Sequence, residues 1–544
     1  MRKSMFAVLA AALILSGCQG GNGENDGLVT IELWYGAAVT EAGPPPRDWH
    51  VLQRIRDELG INLVISSLPS SEVDQDVRIN AAGAGTVLPD LFMVRRGAFM
   101  NLVNVGLIAP VDGLPPRILG INAENYDPEN MPTSLYDLMP IRSAQRYTEE
   151  SRRFTTVNGR SFGLASPGAA PRNEGLLIRA DWLENLGLDV PVTIDDFMNV
   201  MRAFTFDDPD GNGANDTWGF GAFQERTPHE MGLGRRFDPI FGAFGVAGTW
   251  NLGYENPGLN IRNPAFFDAL SFVRQMVVEG VIDPDWEAHT RDFFRAAWRQ
   301  GRVGIMREQN AAFAAQHNYA DFDRRFPEGR WIVIDPPIGP AGHRSVGVDT
   351  PSFRIYAISI HAMYEGRAPY IARLLEWMTE NYYLLGFGVE GENFVFDENR
   401  IPSVAGIPDP SRGFDQALMQ RYTQLRNKVF YNSDVELAAR FPIWTTQAGR
   451  QMSALWTLRD MQDRPWTENF GADALPLPNA DVERFYNQGI VEFVGGGRQL
   501  TRENWIAWLD EFDRVGGLEW ENEAMAAARA AGFIQSPPAV AAAD

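Results

Sequence analysis

Between Leu28 and Val94 the chain alternates two kinds of periodicity, and that alternation restricts its fold more than any other feature. Leu28 to Tyr35, LVTIELWY, has the period of two expected of a strand, and a Pro-rich loop at Pro44–Pro46 follows it. Asp48 to Leu59 has the helical period and is stopped by Gly60. A second strand begins at Ile61, a second helix covers Ser71 to Ala82, and Pro89 to Val94 is a short apolar third strand. Strand, helix, strand, helix, strand at this spacing predicts a parallel α/β sheet. Ligands of open α/β sheets sit beyond the carboxyl ends of the strands. Trp34, Tyr35, Arg95 and Arg96 fall at those ends.

A chain of 544 residues is long for one hydrophobic core, which makes two lobes the natural arrangement. A second α/β pattern opens at Gly175. An apolar run to Ile178 leads into a helix capped by Asp181 and closed by Gly187, and Pro191 and Thr193 start another helix. Thr193 with Asp196 three residues on is a capping box, and Phe197, Val200, Met201 and Phe204 mark one buried face. Arg153 to Ser166 reads as a hairpin about Asn158-Gly159. That hairpin contains Gly159-Arg160-Ser161-Phe162-Gly163, which matches G-x-S-x-G but lacks the strand–turn–helix context of a nucleophile elbow.

The expected division assigns 1–17 to a signal peptide, 18–27 to a flexible tether and 536–544 to a disordered tail. The first lobe then takes 28–167 with 350–405, and the second 168–349 with 406–535. Pro167 to Asn173 and Asp349 to Phe353 are the expected crossings.

A formal charge of −22 opposes phosphate backbones and anionic lipid, which excludes nucleic acid as a partner. Lys3 and Lys428 are the only lysines, and neither has a glycine-rich context, so phosphate-loop and Schiff-base chemistry have no support. The six histidines are scattered without zinc-binding spacing. Arg2 and Lys3 precede an apolar run, Met5 to Leu15, that ends in Leu15-Ser16-Gly17-Cys18 and resembles a bacterial lipobox. Cys18 is the sole cysteine, so it forms no intramolecular disulfide and is the expected lipidation site.

Asp208 to Gly219 is the sharpest local signal. Oxygen side chains fall at positions 1, 3, 5 and 9 of a loop (Asp208, Asp210, Asn212 and Asp216), with Gly213 at the sharp turn and the Ala214 carbonyl at position 7. Alternate oxygens in a tight loop suit Ca²⁺, here in a structural role. The carboxylate expected at position 12 is missing, since Gly219 stands there.

The stretch LLIRADWLENLGL with AFTFDDPDGNGANDTWGF resembles the family 1 extracellular solute-binding proteins of bacterial sugar importers, and is similar to their alginate- and aldouronate-binding lipoprotein branch. Leu88–Leu91, the GRVGIM segment from Gly301 and GFGVEGENF match more weakly. The resemblance implies a type 2 periplasmic-binding-protein fold, α/β, with two lobes joined by crossing segments and a ligand cleft between them. It also implies an oligosaccharide ligand, a separate ABC permease as partner and a monomeric, lipid-anchored, extracytoplasmic protein without enzymatic activity.

Sugars offer flat CH faces rimmed by hydroxyls, so the site calls for aromatic platforms and planar hydrogen-bonding groups. The candidates are Trp34, Tyr35, Arg95, Arg96, Trp250, Arg307, Asp349 and Glu390, the last three resting on the resemblance. Trp34 and Tyr35 fit packed strand ends equally well. Arg95 and Arg96 suit either a uronate carboxylate or ion pairs within an acidic protein. A surface glycosidase or lyase and a non-transporting surface scaffold are the alternative classes.

Overall fold

The computed structural model describes residues 27–534, apart from 40–41, 70–71, 122–130, 169, 227–229, 254, 350–352 and 430–432. Cys18, the leader and the tail lie outside the described residues. In chain order, β1 (Val29–Tyr35), α1 (His50–Leu59), β2 (Ile61–Ser67), α2 (Glu72–Ala84) and β3 (Leu91–Val94) reproduce the alternation expected at the start of the chain, and α3 (Arg96–Asn104) follows them. β4 (Gly163–Pro167) leads across to β5 (Glu174–Arg179), α4 (Ala180–Leu186), α5 (Ile194–Phe206), β6 (Trp218–Gly221), α6 (Pro264–Glu279), β7 (Val303–Gln309) and β8 (Trp331–Ile334). The chain returns through β9 (Phe353–Ile358) and α7 (Ala368–Glu380), and ends in α8 (Ala480–Gly495), α9 (Arg502–Arg514) and α10 (Gly517–Ala530).

Each lobe is built on its own sheet. The first has the order β2-β1-β3-β9-β4, parallel except for β9, which arrives from the other lobe and runs antiparallel to both neighbours. Both faces are covered, so the period of two sorts side chains between two cores. Ile31, Leu33, Tyr35, Tyr356 and Ile358 join Val51 and Ile55 of α1, whereas Phe92, Val94, Ile355 and Ala357 join Phe99 and Leu102 of α3.

The second sheet has the order β8-β5-β7-β6. Leu176, Ile178 and Ile305 face the α5 and α6 side, while Leu177 and Met306 face Trp298, Phe313 and Trp331. α8, α9 and α10 add a stacked aromatic wall, with Trp505 and Trp508 4.9 Å apart.

Two local expectations need correction. Asp181 does not cap α4, because its carboxylate is held by the Arg179 guanidinium at 2.6 and 2.8 Å and the cap position is Arg179 itself. The stretch 406–440 was expected in the second lobe, yet Phe414, Leu425, Val429 and Ala439 are buried in the first-lobe core. Further along, Trp444, Ala454 and Met461 are buried in the second lobe. The error arose because short helices have the same local pattern whichever core receives them.

The lobes are joined by three passes of chain, after Pro167, after Asp349 and after Arg440. Val348–Asp349 pairs in parallel with Thr467–Glu468 to form a small ribbon at the join. A run of rings, Phe154–Phe353–Phe470–Phe533, crosses there with centroid spacings of 5.1, 6.3 and 5.5 Å. Arg153 of the first lobe lies over Phe470 and Phe533.

Candidate ligand cleft

The expected site residues fall at the carboxyl ends of β1 and β3 in the first lobe and where the start of β5 meets the end of β7 at the centre of the second sheet. Trp34 is half-buried, with the Arg78 guanidinium 4.1 Å from its ring centroid and its Nε1 donating to Glu32 at 2.8 Å. Tyr35, by contrast, is fully buried in the first-lobe core and its hydroxyl meets Ser67, so it is a core residue and not a platform. Arg95 lies 3.6 Å from Asp76 of α2. Arg96, the first residue of α3, lies over Phe99 and Phe154, and its Nε and Nη1 are enclosed without a hydrogen-bond partner among the described residues. Burial pulls the Arg96 guanidinium down to about 10, with the charge of Asp473 pulling the other way. Burial pushes the Asp473 carboxyl up to about 7 against the opposing effect of Arg96. This places a first-lobe cation and a second-lobe acid in the same low-dielectric environment.

The second-lobe edge is a buried lattice of charge. Arg307 was expected to reach a ligand. Its guanidinium instead binds Glu174 at 3.1 Å and Asp238 at 2.9 Å, is 4% exposed, and lies 5.6 Å from the Trp466 ring. Arg236 binds Glu225 at 2.6 Å and lies 3.5 Å from Glu308, which Arg295 also holds at 3.0 Å. Arg235 spans Glu230 and Glu174, and Arg291 pairs with Glu225. Burial alone would raise the Glu174 carboxyl, but Arg307, Arg236 and Arg235 outweigh it and hold the group at about 2. Burial dominates at Asp238 and Glu230, whose carboxyls are pushed up. Desolvating an ion costs several kcal/mol unless its partners are well placed, so this edge is a rigid wall whose cations are already committed.

Three further candidates need relocating. Trp250 is 3% exposed and packs edge-on against Trp520 at 4.9 Å, as part of the second-lobe core. Its Gly-rich surroundings suggested exposure, but Gly258 on the paired strand lets α10 come close, since a Cβ there would lie 2.5 Å from the Glu521 carboxylate. Asp349 accepts from Arg172 across the crossing segments at 2.7 Å. Glu390 is exposed in a turn of the first lobe, and no hydrogen bond or ion pair links it to the other candidates. Trp466, Phe470 and Asp473, which meet Arg307, Phe353 and Arg96, were not among the candidates. The signal was available in the aromatic-rich WTENF segment that begins at Trp466, beside the second crossing. Ser161 bonds to Tyr136 and Thr155 hydroxyls inside the first lobe, as a structural serine would.

In the acidic loop Asp208 accepts the backbone N–H groups of Asn212 and Gly213, both at 3.0 Å. The Asn212 amide nitrogen bridges Asp210 at 3.0 Å and Asp216 at 3.2 Å. Burial, then the neighbouring Asp216 and Asp208 charges, push the Asp210 carboxyl up. Among the described residues no group of three or more His, Cys, Asp or Glu side chains forms a ready metal cage. The donor set is all oxygen, which fits a hard cation, but it is short by one ligand. Position 12 cannot supply that ligand, since a Cβ on Gly219 would lie 2.3 Å from the Met201 carbonyl oxygen.

The fold of two α/β lobes is shared with solved extracellular solute-binding proteins. The HMO-binding, ABC-transporter-associated solute-binding protein of Bifidobacterium longum infantis superposes with a TM-score of 0.65 at 15% identity, covering 94% of this chain and all of that one. The alginate-binding protein AlgQ2 without calcium gives 0.58 at 15% identity, over 93% and 96% of the two chains. An EF-hand mutant of the Streptococcus pneumoniae substrate-binding protein FusA with fructo-nystose gives 0.59 at 16% identity, over 93% and 99%.

By sequence the chain is 25% identical over 319 residues to lipoprotein LipO of Bacillus subtilis, covering 56% of each chain. It is 25% identical over 315 residues to the polygalacturonan/rhamnogalacturonan-binding protein YtcQ of the same organism, covering 55% of each. The chain thus aligns with about half the length of the curated relatives it matches. No protein-family model matches it.

Proposed function

We propose that this chain is the lipid-anchored, extracytoplasmic binding subunit of an ABC-type importer and takes an oligosaccharide between its lobes. The observation that carries this reading is the pair of separate sheets, one to each lobe, linked by three crossing segments. A ligand that contacts both lobes favours the closed state by its differential affinity for it, and closure is what a membrane permease reads. Lipidation at Cys18 and action as a monomer complete the reading. The similarity to LipO, YtcQ and FusA, proteins named for lipid attachment or carbohydrate binding, supports it.

Trp34 offers a partly open ring, and Arg96 offers two unspent nitrogens to a uronate carboxylate once the lobes separate. Glu390 belongs to the same reading as a first-lobe rim contact. Ca²⁺ in the Asp208–Asp216 loop, with the Ala214 carbonyl and water or an acid from elsewhere, would pin α5 to β6.

The testing experiment is thermal stabilisation across a panel of neutral and uronate oligosaccharides, followed by recovery of the ligand. Stabilisation with intact ligand is the expected result. A cleaved ligand would establish an enzyme instead, and no stabilisation by any saccharide would leave a scaffold protein.

A further inference from the structure

A groove of about 670 Å³ opens on the second lobe between the loop after β6 and the outer face of α8. Every residue lining it belongs to that lobe, so it is separate from the gap between the lobes. Its volume lies within the roughly 300–1,000 Å³ usual for small-ligand sites. The loop alternates in direction. Glu225 turns inward to Arg236 and Arg291, while Gln224 and Arg226 on either side of it line the groove.

The lining is held in place. The Arg226 Nε donates to the Gly232 carbonyl at 2.9 Å, and its Nη2 donates to Gln224. Asn487 Oδ1 accepts from Gly232 N at 2.7 Å, which leaves the Asn487 amide nitrogen without a partner among the described residues. The carboxylates of Glu287 and Glu483 line the groove with no hydrogen bond from a described residue, and both act on the Arg226 charge. Gly495 keeps the wall open, since a Cβ there would lie 2.8 Å from Glu287. Planar groups of three kinds (guanidinium, amide and carboxylate) therefore converge on one concave surface, with the Asn487 amide nitrogen and both carboxylates unspent among the described residues.

Planar groups of this kind bind pairs of adjacent hydroxyls bidentately. Arg484, the other cation of the lining, is paired with Asp481 at 2.7 Å, so Glu287 and Glu483 outnumber Arg226 and disfavour an anionic occupant. We propose that this groove is a second glycan site that holds a neutral, hydroxyl-rich stretch of a saccharide chain outside the cleft. The inference rests on the carbohydrate reading above and extends it to chain length.

The test is calorimetric titration of the full chain with size-fractionated neutral oligosaccharides of increasing length, alongside the variants E483Q and E287Q. Both positions are exposed, so the variants should fold. The expected result is affinity that rises about tenfold or more with length in the parent, with most of that gain lost in the variants and short-chain affinity unchanged. Variants that match the parent at every length would overturn the groove assignment while leaving the cleft reading intact. A parent that binds no saccharide of any length would overturn both. Difference density for a long oligosaccharide between Arg226 and Glu483 in a crystal would corroborate the assignment directly.

Discussion

Arg172 donates from Nε to Asp349 at 2.7 Å, tying the first crossing segment to the second across 177 residues of sequence, with Glu468 of the neighbouring ribbon 3.7 Å from the same guanidinium. Arg172 holds a left-handed backbone conformation, φ 52°, which is uncommon for a non-glycine residue. Hydrogen bonds to charged groups contribute about 1.5–3 kcal/mol. Asp349→Ala is therefore expected to lower unfolding free energy by roughly 1–3 kcal/mol. It should also enlarge the ligand-free molecule in small-angle scattering, because the staple joins the segments about which the lobes turn. A variant with unchanged stability and dimensions would remove the hinge role.

The charged edge of the second lobe predicts an acid-side loss of stability. Glu174 is held at about 2 in the fold, below the roughly 4.3 of an unperturbed glutamate. The unfolded chain then binds more protons between these values, so this contribution is full above about pH 4.3 and is lost as pH falls toward 2. Glu174→Gln should flatten the pH dependence in that window. Arg307→Met, which leaves buried carboxylates unpaired, should cost roughly 3–5 kcal/mol in denaturant unfolding.

Asp473 predicts a different window with the opposite sign. Its carboxyl is pushed up to about 7, so the fold binds a proton that the unfolded chain releases near 3.9. Stability from this group is present at low pH and is lost as pH rises from about 4 to 7. Asp473→Asn should remove that slope, as read from melting temperatures across the range. A wild-type protein without such a slope would contradict the burial of the Arg96–Asp473 environment.

Lys428 is fully buried, with Nζ 3.1 Å from the Tyr356 ring centroid and no hydrogen-bond partner among the described residues. Burial, then Arg142, pulls its ammonium well below the ordinary lysine value. The unfolded chain holds the proton that the fold gives up, so stability should rise with pH from the folded value toward about 10.4. Lys428→Met should be more stable than the parent near neutral pH and lack that rise. Equal stability of the two proteins at pH 7 and pH 9 would sink the prediction.

For the acidic loop, Ca²⁺ is expected to raise the melting temperature and chelation to lower it, with Asp210→Asn abolishing both effects. At a hundred times the dissociation constant the stabilisation would be about 2.7 kcal/mol. A melt insensitive to both Ca²⁺ and chelator would leave the loop as an Asx-rich turn held by Asn212.

The local grammar of the chain was legible without coordinates. The capping box of Thr193 and Asp196 is present with both of its hydrogen bonds, Gly60 and Gly187 end their helices in left-handed conformation, and the hairpin turns at Asn158-Gly159. Helix and strand periods separated two sheets, because burying one face imposes a repeat that any short window of sequence displays. The acidic loop followed for the same reason, since its spacing is local.

Partner choice was decided only by the tertiary structure. Whether Arg307 reaches a ligand or Glu174, whether Trp250 faces solvent or Trp520, and which core receives residues 406–440 all depend on groups far along the chain. A side chain carries no mark of the residue it will meet, and the energy of a buried charge or ring belongs to the pair. Sequence thus set the elements and the number of lobes, and three-dimensional proximity set the chemistry between them.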